Sequence, residues 1–482
     1  MRRQSKYLPL YLVLGVFFIL ALIYNFTIPL GKGPDEPDHY AYVKWLVRHH
    51  SLPPINDRDM MRERTTGAIA MHPPLAHVIH AIGFTLLQWL PDETIQHLLR
   101  AWSAVLCTLT LLVAYRLTRE IFPENAVLPL AVMAFIAFLP HFQLIASVIS
   151  TDPLLILLNS LLLWLMVRTL RTPHDALRMT HYGWLGALYG VILITKSSAL
   201  SFAPLGAVIA AAGWRRDGVV GWLKKTAAFY VPALVIASWW FIRFYNITGR
   251  WHPINPRYEG YERNAHLISH SLVDFLTRRD ALALLWRHVE GVFISVWGQV
   301  DWSYPTLEVA GVPQAEAAAY PLTVAFLRLF TALTAVSLVG LIVLLGRTIR
   351  QSRGSTGGRR SCGADSARQE PRPPEAVSAL GSAGASPSLL PSLLLVVAHF
   401  ALIYFALMHY TLFVHPGGYQ AGRYLYPSVC ALGLLFVAGL LALCPQRWHA
   451  VVTIALSMVL LCWNVACLVN LKWFLIPFYG HG

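Results

Sequence analysis

Apolar runs close to the ~20 residues that a helix needs to cross a bilayer recur along the whole of this 482-residue chain. A chain patterned this way has few ways to fold. Hydrocarbon offers no partner to a backbone amide or carbonyl, so each run must satisfy its own hydrogen bonds as a transmembrane helix. Composition agrees, with 56% of residues hydrophobic and only 13% charged. The sequence therefore predicts an all-α polytopic membrane protein.

Charge sets the direction of the first span. Arg2, Arg3 and Lys6 precede the run from Leu8 to Leu30, so the N-terminus is expected in the cytoplasm and the loop after Leu30 outside. No small-residue cleavage site follows the run, which reads as an uncleaved anchor. The stretch 72–90 carries His77, His80 and Gln88. Letting it cross would put Arg116 and Arg119 outside, so it is expected to lie in the interface or re-enter. The runs Ile95–Leu117, Val127–Ile149, Pro153–Val167, Trp184–Thr195, Ala199–Ala212, Thr226–Phe244, Leu322–Leu345, Leu389–Leu412, Tyr424–Leu443 and Val451–Phe474 then alternate with basic turns inside. With the first run they make about eleven transmembrane helices, with outer-face amphipathic helices at His39–His50 and Ala281–Trp297.

Five regions follow. Residues 1–245 form a transmembrane module with an outer loop at 31–94. An outer segment spans 246–318, a single transmembrane helix 319–346, a linker 347–388, and the last transmembrane helices 389–482. The linker alternates Arg347, Arg350, Arg353, Arg359, Arg360, Arg368 and Arg372 with Gly, Ser, Pro and Ala. It reads as a disordered, basic cytoplasmic segment. Membrane lipids with anionic headgroups would suit it, but a tolerated insertion without function is the better reading. The six cysteines, at 107, 362, 430, 444, 462 and 467, show no CxxC spacing and mostly sit in apolar runs. They read as small packing residues rather than disulfides or metal ligands. The net charge of +14 is what basic cytoplasmic loops carry and implies no nucleic acid. A surplus on the outer face would suit an anionic substrate.

The unusual residues gather at the outer ends of the spans. Three carboxylates fall within Gly33-Pro34-Asp35-Glu36-Pro37-Asp38-His39, where prolines fix the backbone on both sides. Further along stand His72-Pro73-Pro74-Leu75, Ser150-Thr151-Asp152-Pro153, Lys196 between two short runs, Arg243 at a span end, and Gln420-Ala421-Gly422-Arg423-Tyr424. Each has an ordinary reading. The acidic loop serves as a polar helix stop, Asp152-Pro153 as a helix start, and the cations as snorkelling anchors. Taken together they describe a polar site facing water, with carboxylates and separate cations.

In this order, the PDEPxH loop, HPPL, S-T-D at a span mouth, TKSSAL and QxGRYLYP resemble the GT-C glycosyltransferase superfamily. The likeness is to its protein-mannosyltransferase-related bacterial branch and to a membrane family with a PDEP loop and a GRYL motif. It covers residues 1 to about 244 and reappears near Gln420. The resemblance implies a GT-C-like fold, a polyprenyl-phosphate-linked sugar donor and transfer on the non-cytoplasmic face of the inner (plasma) membrane. It also implies Asp35 as catalytic base and Asp152 as the second acidic position.

The chemistry suits these residues. A sugar on a lipid phosphate already carries its leaving group, so transfer needs a base for the acceptor hydroxyl and cations for the departing phosphate. Asp35 would be the base, Glu36 would orient the loop or serve an optional metal, and Lys196, Arg243 or Arg423 would hold phosphate. His39, His72, Gln420 and Tyr424 complete the substrate-binding candidates. One carboxylate acting on the acceptor implies inversion. The acceptor would be a glycan, a lipid or a protein. No cofactor is required on this reading. Mg²⁺ or Mn²⁺ on Asp35, Glu36, Asp152 and His39 or His72 is the alternative. The rival class is a transporter or flippase for lipid-linked saccharides, which would place ionisable groups near the bilayer midplane and often shows paired broken segments. A non-catalytic lipid-binding relative is the third reading.

Overall fold

The computed structural model describes residues 7–55, 67–172, 179–251, 271–297, 321–357, 389–414 and 422–471. Those residues form helices and turns and no strand. The helices are α1 (Leu8–Thr27), α2 (Glu36–His49), α3 (Leu75–Leu87), α4 (Asp92–Ile121), α5 (Leu128–Ala137), α6 (Pro140–Ala146), α7 (Asp152–Arg171) and α8 (Met179–Leu193). They continue as α9 (Pro204–Ala210), α10 (Trp214–Thr248), α11 (Leu272–Thr277), α12 (Ala281–Trp297), α13 (Pro321–Gly357), α14 (Leu389–His409), α15 (Val429–Ala442) and α16 (His449–Asn470). Among the described residues eight helices are long and apolar enough to cross a membrane, or nine if one bent pair is a single span. The protein is a multi-pass, all-α membrane protein.

Helix α15 and the turn before it form the most enclosed of these spans, with 94% of its window buried. Close packing there needs glycine. A Cβ on Gly340 of α13 would strike the carbonyl of Gly439 on α15, the small-residue contact by which membrane helices approach.

The run 127–149, expected as one straight span, is instead broken. α5 and α6 meet at 68°. Pro140 has no amide to donate and pushes Leu139 out of the helical region, to φ −70°, ψ 120°. The carbonyls freed at the break are taken up by side chains: Gln143 Nε2 donates to Ala137 O at 2.6 Å and Asn464 Nδ2 to Phe138 O at 2.7 Å. The short runs around Lys196 become the 15-residue α8 and a 3₁₀ turn, Ser197–Phe202, leading into α9. With 13 residues, or about 20 Å, α3 is too short to cross a hydrocarbon core of about 30 Å. α13 runs on to Gly357, into the stretch expected to be irregular linker, and the remainder of the linker lies outside the described residues.

Candidate active site

The site is built on the turn that leaves α1. Asp35 has φ 56°, one of two positive values at non-glycine residues among those described. Such a backbone persists only where its surroundings over-determine it, and here the neighbouring Glu36 does so. The Glu36 carboxylate is fully buried. It accepts from Arg100 Nε at 2.7 Å and Nη2 at 2.5 Å, from Gly33 N at 3.2 Å and from Ile149 N at 3.0 Å. Arg100, equally buried on α4, also donates to the carbonyls of Asn25, Ile28 and Pro29 at 2.7–3.0 Å. One ion pair thus ties the end of α1, the acidic turn, α4 and the chain leading into α7. Gly33 must be glycine here, because a Cβ would meet Val148 at 2.5 Å and Glu36 at 3.0 Å.

Held this way, Asp35 keeps 41% of its side chain exposed and pairs with Arg423. Arg423 lies in a 3₁₀ turn, Gly422–Ser428, that leads into α15. Asp152, in the first turn of α7, pairs with Lys196 Nζ at 2.5 Å. Lys196 leaves α8 in extended conformation, at φ −158°. Tyr424 joins the two pairs: Lys196 Nζ lies 5.7 Å and Arg423 Cζ 5.3 Å from its ring centroid. Two cations gathered at one ring are stable because a carboxylate faces each of them.

His72 faces all four charges. Burial, reinforced by Lys196 and Arg423 against the pull of Asp35 and Asp152, brings its pKa down to about 4. It is therefore a neutral imidazole at physiological pH, and its Nδ1 is buried without a hydrogen-bond partner. The ring of His39 lies 5.9 Å away. His39 Nδ1 is 2.9 Å from His77 Nε2, and His77 stacks on Tyr42 at 4.0 Å. Burial is the main cause that holds His39 and His77 below the usual histidine range, and the neighbouring histidines add to it.

Of the residues singled out in the sequence, Asp35, Asp152, His39, His72, Lys196, Arg423 and Tyr424 come together. Glu36 is adjacent, but its carboxylate is engaged by Arg100. Arg243 stands elsewhere, donating Nη2 to Pro53 O at 3.2 Å with its guanidinium 5.4 Å from the Trp240 ring. Gln420 lies outside the described residues. Sequence reasoning passed over Arg100, whose signal was an arginine inside an apolar run. It also passed over His399 of α14. That buried side chain bonds Ser428 Oγ at 2.7 Å, at the end of the turn that carries Arg423. Its ring stacks at 4.3 Å on Phe202, at the end of the turn that follows Lys196.

Each site carboxylate already faces a cation, and among the described residues no three His, Cys, Asp or Glu side chains converge to hold an ion.

The helical fold is similar to that of a solved oligosaccharyltransferase. The oligosaccharyltransferase of Archaeoglobus fulgidus, in a structure with zinc and sulfate, superposes with a TM-score of 0.50 at 14% identity over 96% of this chain. The chain spans about half, 53%, of that structure's length. ArnT from Cupriavidus metallidurans bound to undecaprenyl phosphate gives a TM-score of 0.47 at 14% identity, covering 97% of this chain and 73% of ArnT. No protein-family model and no curated protein matches the sequence.

Proposed function

We propose that this protein is a membrane glycosyltransferase that moves a sugar from a polyprenyl-phosphate donor to an acceptor hydroxyl, with inversion at the anomeric carbon. Transfer would take place on the non-cytoplasmic face of the inner (plasma) membrane, with the N-terminus in the cytoplasm. The observation that carries this reading is the strained, half-exposed Asp35, clamped from below by Glu36–Arg100 and set beside two cations at one tyrosine ring.

Each part has a role. Asp35 accepts the proton of the acceptor hydroxyl as its oxygen attacks the anomeric carbon. Arg423 and Lys196 hold the phosphate that departs, arginine through its planar fork and lysine as a point charge. Asp152 keeps Lys196 in place. Neutral His72 offers a hydrogen bond to substrate without adding charge, and His39 and His77 brace it. Glu36 and Arg100 act as positioning residues. No step is routed through a metal.

The reading is tested by identifying the lipid that copurifies with the protein by mass spectrometry, then incubating the protein with polyprenyl-phosphate sugars and candidate glycan, lipid and protein acceptors. A bound polyprenyl phosphate or phospho-sugar, and a product with inverted linkage, are expected. Translocation of the lipid across proteoliposomes without any transfer would favour the flippase reading instead.

A further inference from the structure

The four site charges cancel. Asp35 faces Arg423 and Asp152 faces Lys196, so a phosphate entering the site meets no uncommitted cation among these groups. One pair must open. Asp152 and Lys196 are 10% and 13% exposed, and separating them would strand a carboxylate away from water, where an unpaired charge is costly. Asp35 is 41% exposed, so water can take over its carboxylate when Arg423 leaves. Arg423 also has a donor to spare. Its Nη2 holds Asp35, while its Nε is buried with no partner, and a guanidinium has five N–H donors in a fixed fork.

We infer that Arg423 is a shuttle cation, paired with the base Asp35 before reaction and with the lipid phosphate after it. The inference rests on the glycosyl-transfer reading above. During transfer the acceptor O–H proton passes to the Asp35 carboxylate and the acceptor oxygen bonds the anomeric carbon. The bond from that carbon to the phosphate oxygen breaks, and its electron pair stays on the phosphate. Asp35 loses one negative charge as the donor phosphodiester becomes a phosphomonoester with roughly one more. The total charge in the site is constant, and the negative charge moves from Asp35 to phosphate. Arg423 follows it, stabilising the base in the resting state and the leaving group in the product state. Asp35 is therefore both the base and the competitor that keeps product from being held too tightly.

The test is equilibrium binding of undecaprenyl phosphate to the purified, full-length protein in detergent, followed by intrinsic tryptophan fluorescence. Wild type, Asp35→Asn, Arg423→Gln and the double variant are compared at a temperature where each is folded. Removing the competitor in Asp35→Asn should tighten binding about 10-fold or more, the scale of one charge-assisted contact. Arg423→Gln should weaken it by a similar factor, and in that background Asp35→Asn should change nothing. Equal affinity of wild type and Asp35→Asn, or a gain that persists without Arg423, overturns the shuttle and leaves the transfer reading standing. No binding by any variant overturns the polyprenyl-phosphate donor and the shuttle with it.

Discussion

Arg100 grips Glu36 through both carboxylate oxygens, at 2.7 and 2.5 Å, and neither side chain is exposed. In the proposed mechanism this pair does no chemistry. It sets where the chemistry stands, because Glu36 also takes the amides of Gly33 and Ile149 and so fixes the loop of Asp35 against the loop of Asp152. Removing one partner strands the other charge in a dry interior. Arg100→Leu should cost about 3–5 kcal/mol, read as a large fall in melting temperature of the purified protein.

Glu36→Gln should separate clamp from base. The amide keeps one acceptor oxygen but turns N–H groups toward donors, so stability falls while the surviving folded protein still transfers sugar. Asp35→Asn should do the reverse, with transfer lost and a smaller fall in melting temperature, because the amide oxygen still accepts from the largely buried Arg423. Melting curves and turnover measured on the same preparations check both halves.

Arg423→Ala should weaken binding of a polyprenyl-phosphate donor by about 10- to 150-fold, one charge-assisted hydrogen bond. Its effect on stability should be small beside that of Arg100→Leu, because the Asp35 carboxylate left behind is half-exposed and water solvates it. Donor affinity and melting temperature, measured together, distinguish the two arginines.

Acid should destabilise the site. His72 and His80 have folded pKa values lowered from 6.5 to about 4, burial being the largest cause. Between these values the unfolded chain binds more protons than the folded one, so stability rises with pH across that window. It is complete above about 6.5 and is lost progressively as pH falls toward about 4. A melting series from neutral to acid pH should show this loss, and it should shrink in a His72→Asn, His80→Asn variant.

The face of the membrane is open to direct measurement. Ser198, exposed in the turn after Lys196, and Arg360 in the linker are each replaced by cysteine in an otherwise cysteine-free chain. An impermeant maleimide on intact cells should label position 198 and spare position 360. The opposite pattern would put the acidic site in the cytoplasm.

Much of this was legible because charge is scarce in the chain. Against long apolar runs, Asp35, Asp152, Lys196 and Arg423 stood out one at a time, each at the end of a run, and the structure gathers all four. What could not be read was how they pair. Asp35 and Arg423 lie 388 positions apart and Asp152 and Lys196 lie 44 apart, and pairing over such separations is decided by helix packing rather than by local pattern. For the same reason the orienting role expected of Glu36 did not disclose its partner, Arg100 on α4. The break at Pro140 was written in the sequence. Its uninterrupted hydropathy hid it, since the side chains that satisfy the freed carbonyls come from Gln143 and the distant Asn464.

The most direct test of the central claim is the single-turnover rate of sugar transfer from a labelled polyprenyl-phosphate donor by purified wild type and Asp35→Asn, at a temperature where both are folded and matched in bound lipid. Loss of a general base should slow the variant by about 10²- to 10⁴-fold, with the wild-type product inverted at the anomeric carbon. Transfer by Asp35→Asn at the wild-type rate would contradict the account.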